Sequence, residues 1–242
     1  MRIAMWSGPR NLSTAMMYAF AQRPDFAVRD EPFYAAYLAA TDLHHPMRDA
    51  ILAAQPTDPA QVAADCAGPL PEGAAHLYMK HMAHHMIDGF PLDWARGCVN
   101  VFLIRHPARV VASYARKREG PTLEDLGFLQ QARLFDRVAD WLGAAPPVID
   151  SADIRADPRV ALSALCAAVG LDFDPAMLTW PPGGRPEDGV WGAHWYGAVH
   201  RSTGFEDPEG PLPELTGDYA ALAEAALPQY ARLARHRVGG AP

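Results

Sequence analysis

The segment Ser-Gly-Pro-Arg-Asn-Leu-Ser-Thr at positions 7–14 has the residue types of an anion-binding loop. It lies between a short apolar run and a helical pattern, and backbone N–H groups at the start of a helix favour phosphate or sulfate oxygens. Arg10 would add a planar guanidinium, and Ser13 and Thr14 would add hydroxyl donors. An alternative interpretation is an ordinary helix start, with Asn11 or Ser13 as the N-cap.

A second basic pattern follows the apolar run at residues 99–104. Arg105 comes directly after that run, Pro107 suits the first turn of a helix, and Ser113 lies inside the helix pattern. Arg105 and Ser113 would meet on one phosphate group if the helix folds back beside the strand end. The other basic residues of this segment are interpreted as a solvent-facing helix surface: Arg109, Arg116, Lys117 and Arg118.

The loop at 7–14 differs from the nucleotide-binding pattern G-x-x-x-x-G-K-[ST], because it has no lysine before the hydroxyl pair and no second glycine. No strand carries an obvious acidic motif for magnesium. Both differences disfavour an ATP- or GTP-hydrolysing enzyme. His81, His84 and His85 could share one helical face, yet residues 80–82 have the pattern of a strand and no fourth ligand is apparent, so we predict no metal site.

Glu31 is the preferred candidate for a general base, because it follows a short strand pattern at residues 26–29. The alternative interpretation is that Asp30-Glu31-Pro32 merely caps the next helix. The runners-up for the base are His84 and His85, with His81 as a further option.

Short apolar strands alternate with helices along the chain, which predicts a parallel sheet covered on both faces. In such folds ligands bind at the carboxyl ends of the strands. That rule brings four segments to one edge: 7–14, 30–33, 80–85 and 105–113. The predicted strands are 2–7, 26–29, 76–82, 99–104 and 147–149, and the predicted helices are 13–22, 107–118, 123–143, 158–169 and 215–237, the last kinked or broken at Pro228.

We predict one domain over residues 1–242, with a helical insertion at about 33–72 and an irregular late loop at about 180–213. A loop of that length inside a domain is often functional. Its aromatic residues Trp191, Trp195 and Tyr196 would either line a ligand pocket or pack the irregular segment.

The net charge of −7 disfavours general nucleic-acid binding, although a locally basic site is compatible with it. The three cysteines are far apart and odd in number, which disfavours a disulfide framework. No apolar run is long enough to span a membrane, and the first residues lack the apolar core of a secretion signal. We therefore expect a cytoplasmic protein; the sequence does not indicate its oligomeric state.

Three segments together resemble the sulfotransferases that use 3′-phosphoadenosine 5′-phosphosulfate (PAPS) as donor. Residues 7–14 are similar to the family's 5′-phosphosulfate loop, commonly P-[KR]-[ST]-G-[ST]-[ST], and residues 101–114 resemble its 3′-phosphate motif. Residues 148–173 resemble its strand-helix pattern V-L-x-Y-E-D-L-x-x-x-P-x-x-x-L-x-x-L-x-x-x-L-G. Because the three occur in family order and spacing, the chain is identified as a divergent, bacterial-type member.

The resemblance implies a three-layer P-loop NTPase-like α/β fold, with a central parallel sheet flanked by helices. It also implies sulfuryl transfer from PAPS, without a metal, to a hydroxyl or amine of a small-molecule acceptor. Arg105 and Ser113 would bind the 3′-phosphate, and Arg201 in the late loop would close over it. The 5′ end would be held by Arg10, Asn11, Leu12, Ser13 and Thr14, and the expected catalytic residues are Glu31, Lys80, Arg10 and His85.

The chain departs from the family pattern at several positions. Asn11 and Leu12 stand where Ser-Gly is common, Ala15 replaces an aromatic that often stacks on adenine, and Met82 occupies the position of a family histidine. The departures favour one alternative, a nucleotide-binding protein without catalytic activity. The other alternative is a P-loop nucleotide or small-molecule kinase, which should have a loop lysine and a carboxylate for magnesium.

Overall fold

Five parallel strands form one sheet in the computed structural model of the chain, which describes residues 1–41, 43, 45–116 and 120–239. The strand order is β2-β3-β1-β4-β5, so β1 lies at the centre, between β3 and β4. The strands are β1 Arg2–Ser7, β2 Phe26–Asp30, β3 His76–Met82, β4 Val99–Ile104 and β5 Val148–Asp150. The predicted α/β class with a parallel sheet is confirmed.

Both faces of the sheet are buried, because alternate side chains of each strand enter different apolar cores. Ile3 and Met5 of β1 belong to one core, and Ala4 and Trp6 belong to the other. Full burial of a large apolar side chain contributes about 1.5–3 kcal/mol to the stability of the fold. Helices that cover both faces of the sheet bury both cores, which accounts for the three layers of helices, sheet and helices.

The helices that flank the sheet begin and end as follows: α1 Ser13–Phe20, α2 Tyr34–Ala40, α3 Arg48–Ala54, α4 Pro59–Ala67, α5 Pro107–Ala115, α6 Leu123–Leu126, α7 Phe128–Leu142, α8 Ser151–Ala156, α9 Pro158–Ala168, α10 Gly192–Trp195 and α11 Gly217–Ala234. Short 3₁₀ turns occupy Ala83–His85, Asp93–Gly97, Pro175–Leu178 and Val199–Arg201. Helices α2 to α4 lie within the insertion predicted at 33–72.

The single helix predicted at 123–143 is wrong, since the chain breaks at Gly127 into α6 and α7. Gly127 has a φ of 73°, a left-handed conformation that glycine adopts without steric cost. Helix α8, directly after β5, was also not predicted, because Asp157 and Pro158 mark only the start of α9.

Of the kink or break predicted at Pro228, the break does not occur. Helix α11 continues through Pro228, and the carbonyl that loses its partner belongs to Glu224. Both residues are exposed, so solvent can hydrate that carbonyl. The helix predicted to reach Arg118 ends at Ala115, while Lys117 and Arg118 lie outside the described residues.

No helix in the described part of the chain is long and apolar enough to cross a membrane. Cys66, Cys98 and Cys166 are free thiols.

Candidate active site

A cavity of about 900 Å³ opens at the carboxyl edge of the sheet. The four segments that the edge rule brings together all contribute to its wall, and the late segment after residue 190 closes another side. The predicted site residues that line it are Arg10, Asn11, Leu12, Ser13, Thr14, Glu31, Lys80, His85, Arg105 and Ser113.

The loop between β1 and α1 presents an uncapped helix start to the cavity. The N-cap position is Leu12, with φ 65° and no side-chain hydrogen bond, so neither Asn11 nor Ser13 is the N-cap. The Asn11 side chain instead donates to the Leu103 carbonyl at 3.2 Å, and Ser151 Oγ donates to the Asn11 carbonyl at 2.9 Å. These bonds hold the loop in an unusual conformation and leave the start of α1 on the cavity wall without a side-chain cap.

Arg10 joins the two basic motifs. Its Nε donates to Ser113 Oγ at 3.1 Å, and its carbonyl accepts a hydrogen bond from Arg105 at 2.7 Å. Burial lowers the pKa of Arg10, and the charges of Arg105 and Arg116 lower it further. This part of the cavity is therefore strongly electropositive, although the whole chain carries a net charge of −7.

Lys80 is the centre of a buried polar cluster on the other side of the cavity. Its Nζ donates to Asp30 Oδ1 at 2.8 Å, to Glu31 Oε1 at 2.6 Å and to the Tyr196 hydroxyl at 2.5 Å. Tyr196 in turn donates to Asp30 Oδ2 at 2.7 Å and accepts from Trp191 Nε1 at 2.8 Å. All three ammonium protons of Lys80 are thus engaged.

The Glu31 carboxylate has one held oxygen and one available oxygen. Lys80 and Tyr196 contact Oε1, whereas within the described residues no hydrogen bond reaches Oε2. Burial raises the pKa of Glu31 above its ordinary range, and the Lys80 charge offsets this effect only in part. The capping interpretation of Asp30 and Glu31 is wrong, since α2 begins after Phe33 without a side-chain cap.

The three candidate histidines lie in different environments. His85 Nδ1 is 4.0 Å from Glu31 Oε2, and His84 also lines the cavity. Burial lowers the pKa of His84 to about 4 and that of His85 well below its usual value. His81 stacks on Trp6 in the core, with ring centroids 4.6 Å apart, and does not line the cavity. His81 is therefore excluded as the base.

No group of three metal-binding side chains is arranged around a common point in the described residues. The rings of His84 and His85 face each other edge to face, while His81 points into the core. His81 lies within β3, whereas His84 and His85 lie in the 3₁₀ turn Ala83–His85 that follows this strand.

Arg105, Arg109 and Arg155 converge on the carboxylate of Glu209 in the late segment. Arg105 pairs with Glu209 Oε1, Arg109 Nε lies 2.9 Å from Oε2, and Arg155 lies 3.3 Å from Oε1. The Arg109 side chain is 13% exposed, which corrects the prediction that it faces solvent. Arg116 is exposed yet lies on the cavity wall.

Arg201 does not line the cavity, contrary to the role expected for it. The 3₁₀ turn Val199–Arg201 buries part of Val199 against two cores, and this directs Arg201 to solvent. Of the three late aromatic residues, Trp195 and Tyr196 reach the cavity wall, whereas Trp191 is buried behind Tyr196.

Sequence reasoning missed Asp30 as a partner of Lys80, and it missed Arg155 and Glu209 altogether. The edge rule could have found Arg155, because residues 151–155 directly follow β5 at the carboxyl edge. Glu209 gave no sequence signal, since its position depends on the path of the late segment.

A family model described as a sulfotransferase domain matches residues 1–237 of the chain. Two curated Arabidopsis thaliana proteins, named branched-chain-amino-acid aminotransferase-like proteins 1 and 2, are 35% and 33% identical to it. Each alignment covers 97% of this chain but only 42% and 41% of the relatives. The chain thus spans about two fifths of the length of the curated relatives it matches.

Two solved structures have the same fold. The sulfotransferase domain of the Synechococcus PCC 7002 olefin synthase has a TM-score of 0.53 at 19% identity, covering 93% of this chain and 94% of that domain. The sulfotransferase domain from the curacin biosynthetic pathway has a TM-score of 0.51 at 19% identity, covering 96% and 95% of the two chains.

Proposed function

The chain belongs to the family of sulfotransferase domains, and on that premise we propose that it transfers the sulfuryl group of PAPS to a hydroxyl or amine of a small-molecule acceptor. The observation that carries the proposal is the meeting of both anion motifs on Arg10. Arg105 and Ser113 each contact Arg10 at the wall of one cavity, beside the uncapped start of α1.

The cavity has the size and the charges that such a donor needs. Ligand cavities commonly have volumes of roughly 300–1,000 Å³. The observed 900 Å³ therefore leaves room for a nucleotide and a small acceptor. The α1 start and Arg10 bind the 5′-phosphosulfate end, and Arg105 and Ser113 bind the 3′-phosphate.

The donor supplies an activated sulfuryl group, and the chain's residues position the acceptor and move its proton. The acceptor oxygen or nitrogen forms a bond to sulfur while the bond from sulfur to the 5′-phosphate oxygen breaks. Glu31 Oε2 accepts the acceptor's proton, and Arg10 stabilises negative charge on the departing oxygen. Lys80 keeps Glu31 oriented and ionised, because its ammonium contacts Oε1.

Glu31 is a better base than the neighbouring histidines. Burial lowers the pKa of His84 and His85 and raises the pKa of Glu31. The carboxylate is therefore more basic, and the two imidazoles are less basic, than their residue types alone would suggest. We assign His85 a positioning role beside the base, because its Nδ1 lies 4.0 Å from Glu31 Oε2. We further propose that the domain acts in the cytoplasm, on a small molecule and not on nucleic acid.

Thermal unfolding with nucleotide ligands tests the donor assignment. We expect adenosine 3′,5′-bisphosphate, at about 100 times its Kd, to add about 2.7 kcal/mol to the free energy of unfolding. For a chain of this size that raises Tm by about 5–10 °C. AMP, ADP and ATP should have smaller effects, and magnesium should not change the shift.

Two variants make the test specific. Arg105→Ala should weaken binding of the bisphosphate far more than binding of AMP, whereas Arg133→Ala, at an exposed position on α7, should change neither. A shift with magnesium-ATP alone would indicate the kinase. If the bisphosphate binds and no acceptor in a PAPS screen is sulfated, the catalytically inactive alternative is favoured.

A further inference from the structure

The Glu209 carboxylate is an unusual occupant of an arginine cluster. Its side chain is 3% exposed, although it belongs to a segment without helix or strand. Arg105, Arg109 and Arg155 all contact its carboxylate, and each of these side chains is mostly buried. Three guanidinium groups around one carboxylate carry more positive charge than that carboxylate neutralises.

Glu206, the second acid near the cluster, does not remove this excess of positive charge. Glu206 lies 3.3 Å from Arg155, but its side chain is 59% exposed, so water screens the pair. Arg105 Nε is buried and has no hydrogen-bond acceptor among the described residues. A phosphate monoester carries about −1.5 to −2 charge near neutral pH and has three acceptor oxygens, so it satisfies the cluster more fully than one carboxylate does.

We propose that Arg105, Arg109 and Arg155 form one dianion site, that Glu209 occupies it internally, and that the donor's 3′-phosphate enters by displacing the Glu209 carboxylate. The choice of the 3′-phosphate as the incoming group rests on the proposed function. Arg109 and Arg155 thereby become ligands of the donor in addition to Arg105, and the late segment becomes a competitor for the site.

The segment that carries Glu209 is held in a way that permits its release. Residues 206–215 make no backbone–backbone hydrogen bond within the described part of the chain. Instead, arginine side chains donate to their carbonyls: Arg155 to Asp207 at 2.7 Å, and Arg109 to Glu209 at 3.0 Å and to Gly210 at 2.5 Å. The same arginines that would hold the phosphate therefore hold the segment, and an entering phosphate removes the contacts that keep it in place.

An internal occupant lowers the apparent affinity of a ligand, because only the fraction of molecules with an open site can bind it. Glu209→Gln removes the competing charge and keeps the shape of the side chain. We expect its affinity for adenosine 3′,5′-bisphosphate, measured by isothermal titration calorimetry, to rise on the order of tenfold. AMP, which lacks the 3′-phosphate, should bind the variant and the wild type equally.

Glu214→Gln is the matched control, because it makes the same change of net charge at an exposed position of the same segment. It should leave both affinities unchanged. Glu209→Ala is measured as well, since it removes the amide oxygen with which Gln could still contact the arginines. Inorganic sulfate serves as a second probe that does not depend on the nucleotide, and its binding should also be tighter in both Glu209 variants.

If the wild type binds the bisphosphate, unchanged or weaker bisphosphate binding in both Glu209 variants would overturn the proposal. If no form of the protein binds the bisphosphate and sulfate binds the Glu209 variants more tightly, the internal occupant stands and the PAPS assignment fails. If neither probe distinguishes the variants from the wild type, Glu209 is a structural ion-pair partner and the proposal is wrong.

Discussion

Three residues around the cavity have a backbone conformation that L-residues rarely adopt. The φ angles of Arg10, Leu12 and Glu31 are 63°, 65° and 38°. Such conformations cost on the order of 1–3 kcal/mol each and persist where surrounding contacts hold them, often at ligand sites. Here the contacts are identifiable: Arg105 donates to the Arg10 carbonyl, and Lys80 donates to the Glu31 carboxylate. The strained backbone conformations therefore occur at two residues that we propose bind the donor, Arg10 and Leu12, and at the proposed base for the acceptor, Glu31.

Replacing Glu31 by Gln separates binding from proton transfer. We expect Glu31→Gln to lower kcat by about 10²–10⁴-fold, the usual contribution of a positioned base, measured on an acceptor found by screening with PAPS. Affinity for adenosine 3′,5′-bisphosphate should change little, because Glu31 contacts Lys80 and Tyr196 and not the arginine cluster. Unchanged kcat would remove Glu31 as the base.

The pH dependence of kcat has a definite sign. A base acts only when deprotonated, and burial raises the pKa of Glu31. The wild-type kcat should therefore decline as the pH falls, with a midpoint above the value of about 4.3 for an ordinary glutamate. Glu31→Gln should lack this decline, whereas Glu187→Gln, which alters an acid paired with Arg185 away from the cavity wall, should retain it.

At the scale of elements, the conformation of the loop between β1 and α1 depends on the end of α6. A Cβ added to Gly8 would lie 2.9 Å from the Leu126 carbonyl oxygen, which is closer than a real contact allows. Gly127 follows with a φ of 73° and turns the chain into α7. The break between α6 and α7 thus places a backbone carbonyl against the loop between β1 and α1.

Gly8→Ala tests this contact between elements. We expect it to lower the free energy of unfolding by about 1–3 kcal/mol, as overpacking usually does, and to weaken bisphosphate binding because the loop must shift. Gly97→Ala is the control, since a Cβ there meets nothing within 4 Å. Urea unfolding and calorimetry measure the two effects; a Gly8→Ala protein with wild-type stability and affinity would show that the loop does not depend on α6.

At the scale of the whole molecule, the sheet and the late segment differ in how their backbones are held. Strand β1 is hydrogen-bonded on both sides, to β3 and to β4, and is buried between two cores. Residues 206–215, the part of the late segment that carries Glu209, are attached by side chains from α5 and α8. Resistance to opening follows buried backbone hydrogen bonds, so the molecule combines a stable sheet with a weakly held wall.

Hydrogen–deuterium exchange measured by mass spectrometry checks this difference. Peptides from β1 and β4 should exchange slowest, and those covering 206–215 should exchange fastest among the peptides that line the cavity. Peptides from α5, which also lines the cavity, give an internal control, because their amides are bonded within the helix. Equal protection of 206–215 and β1 would contradict the description of the late segment as weakly held.

Much of the scaffold was determined locally and could be predicted from the sequence. Strands β1 and β4 are short, mostly apolar runs bounded by polar or turn residues, and the helix starts at Pro107 and Pro158 carry local signals. The edge rule then placed Arg10, Glu31, Lys80 and Arg105 on one cavity without any knowledge of contacts. The family assignment rested on the same local patterns, which lie next to strand ends, where backbone geometry and residue type act together.

Tertiary structure alone decided which charges meet. Nothing near Asp30 in the sequence indicates that it shares Lys80 with Glu31, because β2 and β3 pair across an insertion of three helices. Arg109 has the pattern of an exposed helix residue and is covered by Glu209 from a distant segment, while Arg201 has the pattern of a ligand and points to solvent. Local preferences determine strands and helix starts, but ion pairs depend on the path of the chain between them. The strands and several helix starts could therefore be predicted from the sequence, whereas the occupant of the arginine cluster could not.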